Sequence, residues 1–262
     1  MMDNSKFTIT VIKVGGAVVE DPAQLSILLD SFVKVEGPKV LVHGGGRSAT
    51  KLAAQLGIES RMVGGRRITD AETLKVVTMV YAGLVNKNIV AQLQARGVNA
   101  LGLTGADLNL FRAHRRPVTQ EGIDFGFVGD VDSADGPRLL QLLHSGVTPV
   151  IAPLTHDGQG NLLNTNADTM AQTVATALST VTALPTLTFC FELPGVLRDP
   201  ADPSTLIPRM TEADFQAFVA DGTIAGGMIP KLENAFTALR AGVSAVRITS
   251  IHHLQGGTLI TL

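Results

Sequence analysis

The chain has 262 residues, of which 45% are hydrophobic and 17% are charged, a balance typical of one large or two modest globular domains. Its formal net charge of −2 excludes the strongly basic field of a protein that binds nucleic acid, and its single cysteine excludes an internal disulfide framework. The sequence opens without a signal-peptide pattern, and no uninterrupted apolar run reaches about 20 residues. We therefore expect a cytoplasmic protein without a membrane segment.

Apolar runs of strand length alternate with helical patterns along the chain. The predicted strands are Phe7–Val14, Lys39–His43, Val98–Leu103, Val147–Ala152, Thr186–Phe191 and Ala245–Ser250. The predicted helices are Pro22–Val35, Arg47–Leu56, Asp70–Ala95, Gly136–His144, Ala167–Leu178, Glu212–Ala220 and Met228–Ala241. This order predicts an open, mainly parallel α/β sheet between layers of helices. We expect hairpins in residues 110–131, and a boundary near residue 180 between lobes 1–180 and 181–262.

Two glycine-rich turns each end a predicted strand and precede a helix. One contains Gly15 and Gly16 in IKVGGAVV, and the other contains residues 44–46 in VHGGGRSA. Glycine lets backbone N–H groups approach an anion, and ligands gather at the carboxyl ends of parallel strands. A tight turn would explain either pair by itself, whereas two such loops in one chain favour a phosphate cradle.

Known nucleotide fingerprints fit these loops poorly. The stretch Gly44–Ala49 matches a dinucleotide motif, but it follows the second predicted strand and lacks an acidic residue about 20 positions on. A Walker A loop is excluded because no Gly-Lys-Ser/Thr appears. A lone histidine such as His43, beside the glycines, is more often structural than functional.

Two lysines stand in unusual places. Lys13 lies inside a predicted central strand, where an unpaired ammonium costs several kcal/mol. Its stem could reach past the sheet end, or its charge could face a phosphate. Lys231 lies in the first turn of a predicted helix, where a cation opposes the helix dipole. A bound anion would remove that conflict, and simple exposure is the alternative.

The segment LLNTNADTMA supplies further polar groups. Asn164 and Asn166 alternate, so they share one side of an extended segment. Asn166 is a predicted helix N-cap and Asp168 a first-turn acid, which leaves Asn164 unexplained. The histidines show no metal-ligand spacing and no Ser-His-Asp arrangement emerges, so we predict no protein metal site. Glycine donors and cations without a nucleophile suit phosphoryl transfer.

The helix predicted over Asp70–Ala95 is unusually long. Thr69–Glu72 reads as a capping box, and apolar residues then recur at three- and four-residue spacing. About 26 residues make a rod of about 40 Å. This length fits either a long core helix or a subunit interface in a two-fold dimer.

Several blocks follow one another from about Ile12 to Gly242: KVGGAVV, VLVHGGGRSATKLAAQLG, GGRRITDAETLKVV, LTGADLNLFRA, FVGDVD, LLNTNADTMA and GGMIPKLENAFTALRAG. In this order they resemble the amino acid kinase family, and most closely its members that act on N-acylated glutamate. The resemblance implies transfer of the ATP γ-phosphate to the substrate's side-chain carboxylate, a step of arginine synthesis. Mg²⁺ would arrive with the nucleotide. The first lobe would bind the acyl amino acid and form a homodimer through the long helix, and the second lobe would bind ATP.

The resemblance also implies roles for single residues. Lys13 and Lys231 would stabilise charge on the transferring phosphoryl group, and Asp168 would hold both lysines. Arg67 would clamp the substrate α-carboxylate, with Arg66 as its neighbour, and Asn164 would hold the substrate amide together with Gly45. The backbone donors to phosphate would be Gly15, Gly16, Gly45 and Gly46.

Three departures from the family pattern matter. Phe191 and Glu192 replace a small hydroxyl residue and an aspartate, which leaves the contacts to ribose or adenine open. Only about ten residues precede the first strand, so we expect a dimer that is insensitive to arginine. The carboxyl end is also shorter than usual, which trims a loop on the nucleotide side.

The acyl group and the exact activity have alternatives. Acetyl and succinyl groups both remain open, since residues 114–116 (His-Arg-Arg) could bind a second carboxylate or form an exposed hairpin. Another member of the family, acting on aspartate, carbamate or a nucleoside monophosphate, is one alternative. A non-catalytic regulator of the same fold is another, although the retained Lys13, Asp168 and Lys231 favour catalysis.

Overall fold

A computed structural model describes residues 8–181, 184–191, 193–226 and 228–262. The strands in chain order are β1 (Thr8–Val14), β2 (Lys39–His43), β3 (Met62–Val63), β4 (Arg66–Arg67), β5 (Ala100–Leu103), β6 (Phe111–Arg115), β7 (Gly129–Ala134), β8 (Thr148–Ile151), β9 (Leu154–His156), β10 (Leu162–Asn164), β11 (Leu184–Phe191), β12 (Arg209–Met210), β13 (Ala245–Ser250) and β14 (Thr258–Ile260). The helices are α1 (Gly16–Glu20), α2 (Pro22–Val33), α3 (Gly46–Gln55), α4 (Ala71–Ala95), α5 (Gly136–His144), α6 (Ala167–Ser179), α7 (Glu212–Ala220) and α8 (Met228–Arg240).

Within the described residues, eight strands form the central sheet in the order β12-β14-β13-β11-β1-β2-β8-β5. Every neighbouring pair is parallel except β13 and β14. The predicted open, mainly parallel sheet between helices is therefore confirmed. β1 lies near the middle of the sheet, between β11 and β2.

Alternate residues of β1 bury opposite faces of the sheet, as the two-residue period of a strand requires. Ile9 and Val11 belong to a core cluster with side chains of α6 and α8, whereas Ile12 and Val14 pack with side chains of α2 and α4. The same alternation sends the side chain of Lys13 to the face that α6 covers. The sequence could not give this placement, because it depends on which helix covers which face.

Helix α4 matches the predicted long helix, with a correction at its start. The Asp70 side chain caps it by accepting from the Thr73 N–H at 2.8 Å. Thr69 is buried instead and donates to the Arg67 carbonyl oxygen, so the predicted capping box at Thr69–Glu72 is wrong. Asp70 satisfies the same need for an N-terminal acceptor. Residues 79–85 form a π-helical turn inside α4.

By length and composition alone, α4 is apolar enough to cross a membrane, the one such helix among the described residues. Its buried side chains, including Val77, Val80 and Ile89, lie in the core against the central sheet. This packing is that of a core helix in a globular fold.

A smaller sheet has the strand order β10-β9-β6-β7. Its antiparallel pair β6–β7 confirms a hairpin within the region predicted to form hairpins. Prediction missed β3, β4, β9, β10, β12, β14 and α1, which span two to five residues each. Such short segments show no periodicity, and contacts elsewhere in the chain decide their conformation.

Candidate active site

The two glycine loops meet at the carboxyl ends of β1 and β2. These strands are parallel neighbours with Val14 opposite His43, and the Gly44 N–H donates to the Val14 carbonyl oxygen at 3.0 Å. A Cβ on Gly44 would lie 3.0 Å from the Gly16 nitrogen. Any side chain there would push the loops apart, which explains a glycine at this position.

The nitrogens of the second loop face the first loop. A Cβ built on Gly16 would lie 3.5 Å from the nitrogens of both Gly45 and Gly46. A Cβ on Gly45 would lie 2.9 Å from the Tyr81 ring, so the ring of α4 forces a glycine there. Tyr81 lies in the π-helical turn, a local feature that often accompanies functional sites.

Lys13 and Asp168 form an ion pair at this junction. The Lys13 Nζ lies 2.8 Å from Asp168 Oδ1, and Lys13 is only 8% exposed. Asn166 caps α6 by accepting from the N–H groups of Asp168 and Thr169, which confirms the predicted N-cap. Asp168 Oδ1 is buried, although the Asp168 side chain as a whole is 46% exposed, and the ion pair compensates the burial of this oxygen and of the Lys13 ammonium.

Lys231 lies apart from that pair. Its Nζ sits 4.0 Å from the centroid of the Phe191 ring, a cation–π contact, and in the described part of the chain it forms no ion pair. Asp168 and Lys231 both line a small cavity together with Asn234. Asp168 thus forms an ion pair with Lys13 and none with Lys231 in this structure, and the expectation that it holds both lysines stays a prediction.

Arg67 is fixed by three hydrogen bonds. Its guanidinium donates to Ser60 Oγ, to Thr50 Oγ1 and to the Gly46 carbonyl oxygen, each at 2.8 Å. Arg67 is 7% exposed, whereas the neighbouring Arg66 is exposed. The antiparallel pair β3–β4 sets this difference, because successive residues of a strand point to opposite sides.

Asn164 joins the same wall of the site. Its Nδ2 donates to Thr69 Oγ1 at 3.0 Å, and its backbone N–H donates to the Phe127 carbonyl oxygen. Thr69 thus supports Asn164 rather than capping a helix. This contact gives a structural partner to the residue that helix capping left unexplained.

Two cavities adjoin the glycine loop that follows β1, here called the β1 loop, and each is lined by one of its two glycines. The first cavity, of about 240 Å³, is lined by Lys13, Gly16, Gly45, Arg67, Asn164 and Asp168, among others. The second cavity, of about 330 Å³, is lined by Gly15, Cys190, Phe191, Met228, Lys231 and Ile248, among others. Gly15 and Gly16 therefore face different cavities, although they are adjacent in the sequence.

Residues 114–116 divide between the first cavity and the surface. Arg116 lines the cavity and donates to both carboxylate oxygens of Asp130, which holds the pKa of Asp130 below its usual range. His114 pairs with Asp132 and Arg115 with Asp124, both as exposed pairs. The exposed-hairpin interpretation therefore fits two of the three residues.

Sequence reasoning missed several supporting residues. Glu20 Oε1 accepts from the Ser48 N–H at 2.6 Å and so caps α3 across the two loops. Tyr81 packs against Gly45 from the long helix, and burial raises the pKa of its hydroxyl. No local signal reveals either contact, because the partners lie on different elements. Of the departures from the family pattern, Phe191 lines the second cavity and Glu192 lies outside the described residues.

Comparison with known proteins agrees with this architecture. The amino acid kinase family matches residues 8–250. Acetylglutamate kinase of Bacteroides thetaiotaomicron is 66% identical over 241 residues, which cover 92% of this chain and 93% of that protein. The Bacteroides fragilis acetylglutamate kinase is 63% identical over 262 residues, 99% of each chain. The crystal structure of smu.665 from Streptococcus mutans UA159 is similar with a TM-score of 0.73 at 29% identity, covering 97% of this chain and 98% of that one.

Proposed function

The chain belongs to the amino acid kinase family, and on that premise we propose that it transfers the γ-phosphate of ATP to the side-chain carboxylate of an N-acyl-L-glutamate. It is a kinase, and its relatives of 60–66% identity carry the name acetylglutamate kinase. The observation that carries the proposal is the pair of cavities that meet at the β1 loop. Two substrates bound on either side of this loop would bring a carboxylate and a phosphate together.

In the proposed reaction a carboxylate oxygen attacks the γ-phosphorus and forms a new O–P bond. The bond from the γ-phosphorus to the β–γ bridging oxygen breaks, and ADP leaves with its electron pair. The carboxylate is ionised at neutral pH, so no base is needed. The protein's task is to orient the reactants and to oppose the negative charge of the transition state.

The first cavity suits the acyl amino acid. Arg67 presents a buried guanidinium whose position is set by three hydrogen bonds, and an α-carboxylate would bind its remaining donors or take the place of one of these partners. The side-chain amide of Asn164, beside Arg67, would bind the acyl amide of the substrate. The backbone of Gly45 would contact the substrate from the facing loop. In this proposal residues 1–180 form the lobe that binds the acyl amino acid.

The second cavity suits the nucleotide, bound by a lobe of residues 181–262. Gly15 and Gly16 with Gly45 and Gly46 would donate N–H groups to the phosphates. Lys13 and Lys231 would oppose their charge from the two sides. The described residues hold no group of three metal-ligating side chains, so Mg²⁺ would take most of its oxygen ligands from the phosphates and water.

A coupled assay of ADP release tests the proposal. With ATP and Mg²⁺ we expect turnover on N-acetyl- or N-succinyl-L-glutamate and none on free glutamate, aspartate, carbamate or a nucleoside monophosphate. Turnover on one of the latter would reassign the enzyme within its family. Absence of turnover on all of them, with the acyl-glutamates bound, would favour a non-catalytic regulator.

The preference for an acetyl or a succinyl group on the substrate would depend on Arg116. This arginine lines the first cavity but already binds Asp130, so a succinyl carboxylate would have to share it. Side-by-side values of kcat/KM for the two acyl-glutamates decide between them. If the succinyl compound is preferred, Arg116→Ala should abolish the preference, whereas Arg115→Ala, which changes an exposed residue, should not.

We also propose a cytoplasmic homodimer in arginine synthesis that pairs through α4. Met79 and Leu84 on this helix expose 52% and 65% of their surface, and a subunit contact would bury both apolar side chains. Leu84→Asp should convert a dimer to a monomer in sedimentation velocity. The matched control Val118→Asp changes a residue that is 58% exposed in the β6–β7 connection and should leave the mass unchanged.

A further inference from the structure

His43 ends β2 directly before the second glycine loop. It is wholly buried, and a buried polar side chain needs hydrogen-bond partners. The proposed chemistry assigns it no contact with substrate. The hydrogen-bond partners of its two ring nitrogens therefore indicate its role.

Both nitrogens have defined partners. Nδ1 lies 2.8 Å from the Gly44 carbonyl oxygen, which can only accept, so Nδ1 carries the hydrogen. Nε2 lies 3.1 Å from Asn86 Nδ2. That amide nitrogen also lies 2.9 Å from the Val150 carbonyl oxygen, which fixes its orientation as a donor. Nε2 therefore accepts, and the ring is neutral.

The environment keeps the ring neutral. Burial lowers the pKa of His43 to about 4, so at neutral pH the ring has one donor and one acceptor. Asn86 follows the π-helical turn of α4 and is itself buried. A chain of hydrogen bonds thus runs from α4 through Asn86 and His43 to the glycine loop.

The hydrogen bond from His43 fixes the orientation of one peptide unit, the one that joins Gly44 to Gly45. The Gly44 carbonyl and the Gly45 N–H belong to the same planar trans peptide, so they point in opposite directions. Because the carbonyl points toward His43, the N–H points away from it, and the Gly45 nitrogen lies on the side of Gly16, 3.5 Å from where a Gly16 Cβ would be. Among the described residues the Gly45 N–H donates to no protein acceptor. Without such an anchor, a peptide between two glycines could turn freely.

We propose that His43 is a positioning residue that aims the Gly45 N–H at the transferring phosphoryl group, and that Asn86 holds His43 in its Nδ1–H form. This inference rests on the proposed function, because it assumes phosphate in the cradle. A donor oriented before the reaction costs no reorganisation when charge develops. Its loss should therefore lower kcat more than it raises KM.

Three substitutions separate positioning from packing. The amide nitrogen of Asn can occupy the place of Nδ1, so His43→Asn keeps the donor, whereas His43→Gln reaches only the place of Nε2, and His43→Phe keeps the bulk and removes both. We expect kcat to fall about 10- to 100-fold in the Gln and Phe variants, with KM for the acyl-glutamate within about threefold. The Asn variant should retain kcat within about threefold. His252→Phe changes an exposed histidine and serves as the control.

Two outcomes with the variants would overturn the inference: folded Gln and Phe variants that turn over like wild type, or an Asn variant whose kcat falls as far as that of the Phe variant. Circular dichroism and thermal unfolding establish which variants fold. If none folds, ¹⁵N NMR of the wild-type protein shows which ring nitrogen of His43 carries the hydrogen, and so tests the inference without a variant. We expect the Nδ1–H form at pH 7, and the Nε2–H form or an imidazolium contradicts the inference. A wild type without turnover on any acyl-glutamate would refute the proposed function, while the NMR result would still report the hydrogen bond to Gly44.

Discussion

The two cavities differ in how their polar groups are held. In the first cavity Arg67 and Asn164 are fixed by hydrogen bonds to Ser60, Thr50, Gly46 and Thr69. In the second, the lining is largely apolar, and the ammonium of Lys231 rests on the Phe191 ring. Under the proposed function, the acyl amino acid would therefore meet groups already in place. The nucleotide would meet a cation that has to exchange an aromatic face for a phosphate.

The largest effects should come from the lysines on the two sides of the β1 loop. Lys13→Ala and Lys231→Ala should each lower kcat by about 10²–10³, because each removes a cation that opposes developing charge. ADP-release kinetics measure this, and Lys34→Ala, which changes an exposed lysine after α2, is the control. Turnover within a few-fold of wild type would remove that lysine from the mechanism.

The two lysines should differ in their effect on folding. Lys13→Ala leaves a buried carboxylate oxygen of Asp168 without its cation, whereas Lys231→Ala removes only a contact with a ring. We therefore expect the free energy of unfolding to fall by about 1–3 kcal/mol for Lys13→Ala and by less than about 1 kcal/mol for Lys231→Ala. Equal losses in urea unfolding would contradict this contrast.

Arg67 tests the rigidity of the first cavity. Arg67→Lys cannot reproduce a fork fixed to three partners, so we expect kcat/KM for the acyl-glutamate to fall by about tenfold to a hundredfold. KM for ATP should change little, because Arg67 does not line the second cavity. The matched change Arg66→Lys alters the exposed neighbour, and a loss as large as that of Arg67→Lys would show that Arg67 is not the specific partner of the α-carboxylate.

Acid should lower the free energy of unfolding through the buried ring of His43. The pKa of His43 is lowered by burial from 6.5 to about 4, so between these values the unfolded chain binds more protons than the folded one. The folded state therefore loses stability as pH falls through this window, by about 2 kcal/mol from pH 7 to pH 5. Urea unfolding at both pH values measures the loss. His43→Asn cannot titrate there, so its loss should be smaller by that amount, and an equal loss would refute the assignment.

The smallest effect should be that of the aromatic face in the second cavity. Phe191→Leu removes a cation–π contact worth about 0.5–1 kcal/mol, so KM for ATP should change by no more than about fivefold in either direction. KM for the acyl-glutamate should stay unchanged. Phe191→Tyr keeps the ring and should behave like wild type. A change confined to the acyl-glutamate would show that the two cavities do not bind separate substrates.

The sequence by itself determined the elements and the ends of strands where ligands gather. Apolar periodicity located the long strands and helices, and Asn166 was identified as a cap, because these signals depend on neighbours within a few residues. The glycine pairs indicated that something must approach the backbone. The same local logic failed at Thr69, which matches a capping motif but bonds to Arg67 and Asn164 instead.

Only the tertiary structure decided which of these groups meet. Lys13 reaches Asp168 because the alternation of β1 and the position of α6 put both on one face of the sheet. Tyr81 packs on Gly45, and Asn86 holds His43 across a separation of 43 residues. Such contacts join elements that are distant in the chain, and a pattern read along the sequence carries no information about their relative placement. The role of His43 follows from the direction of a single peptide, which only the folded chain fixes.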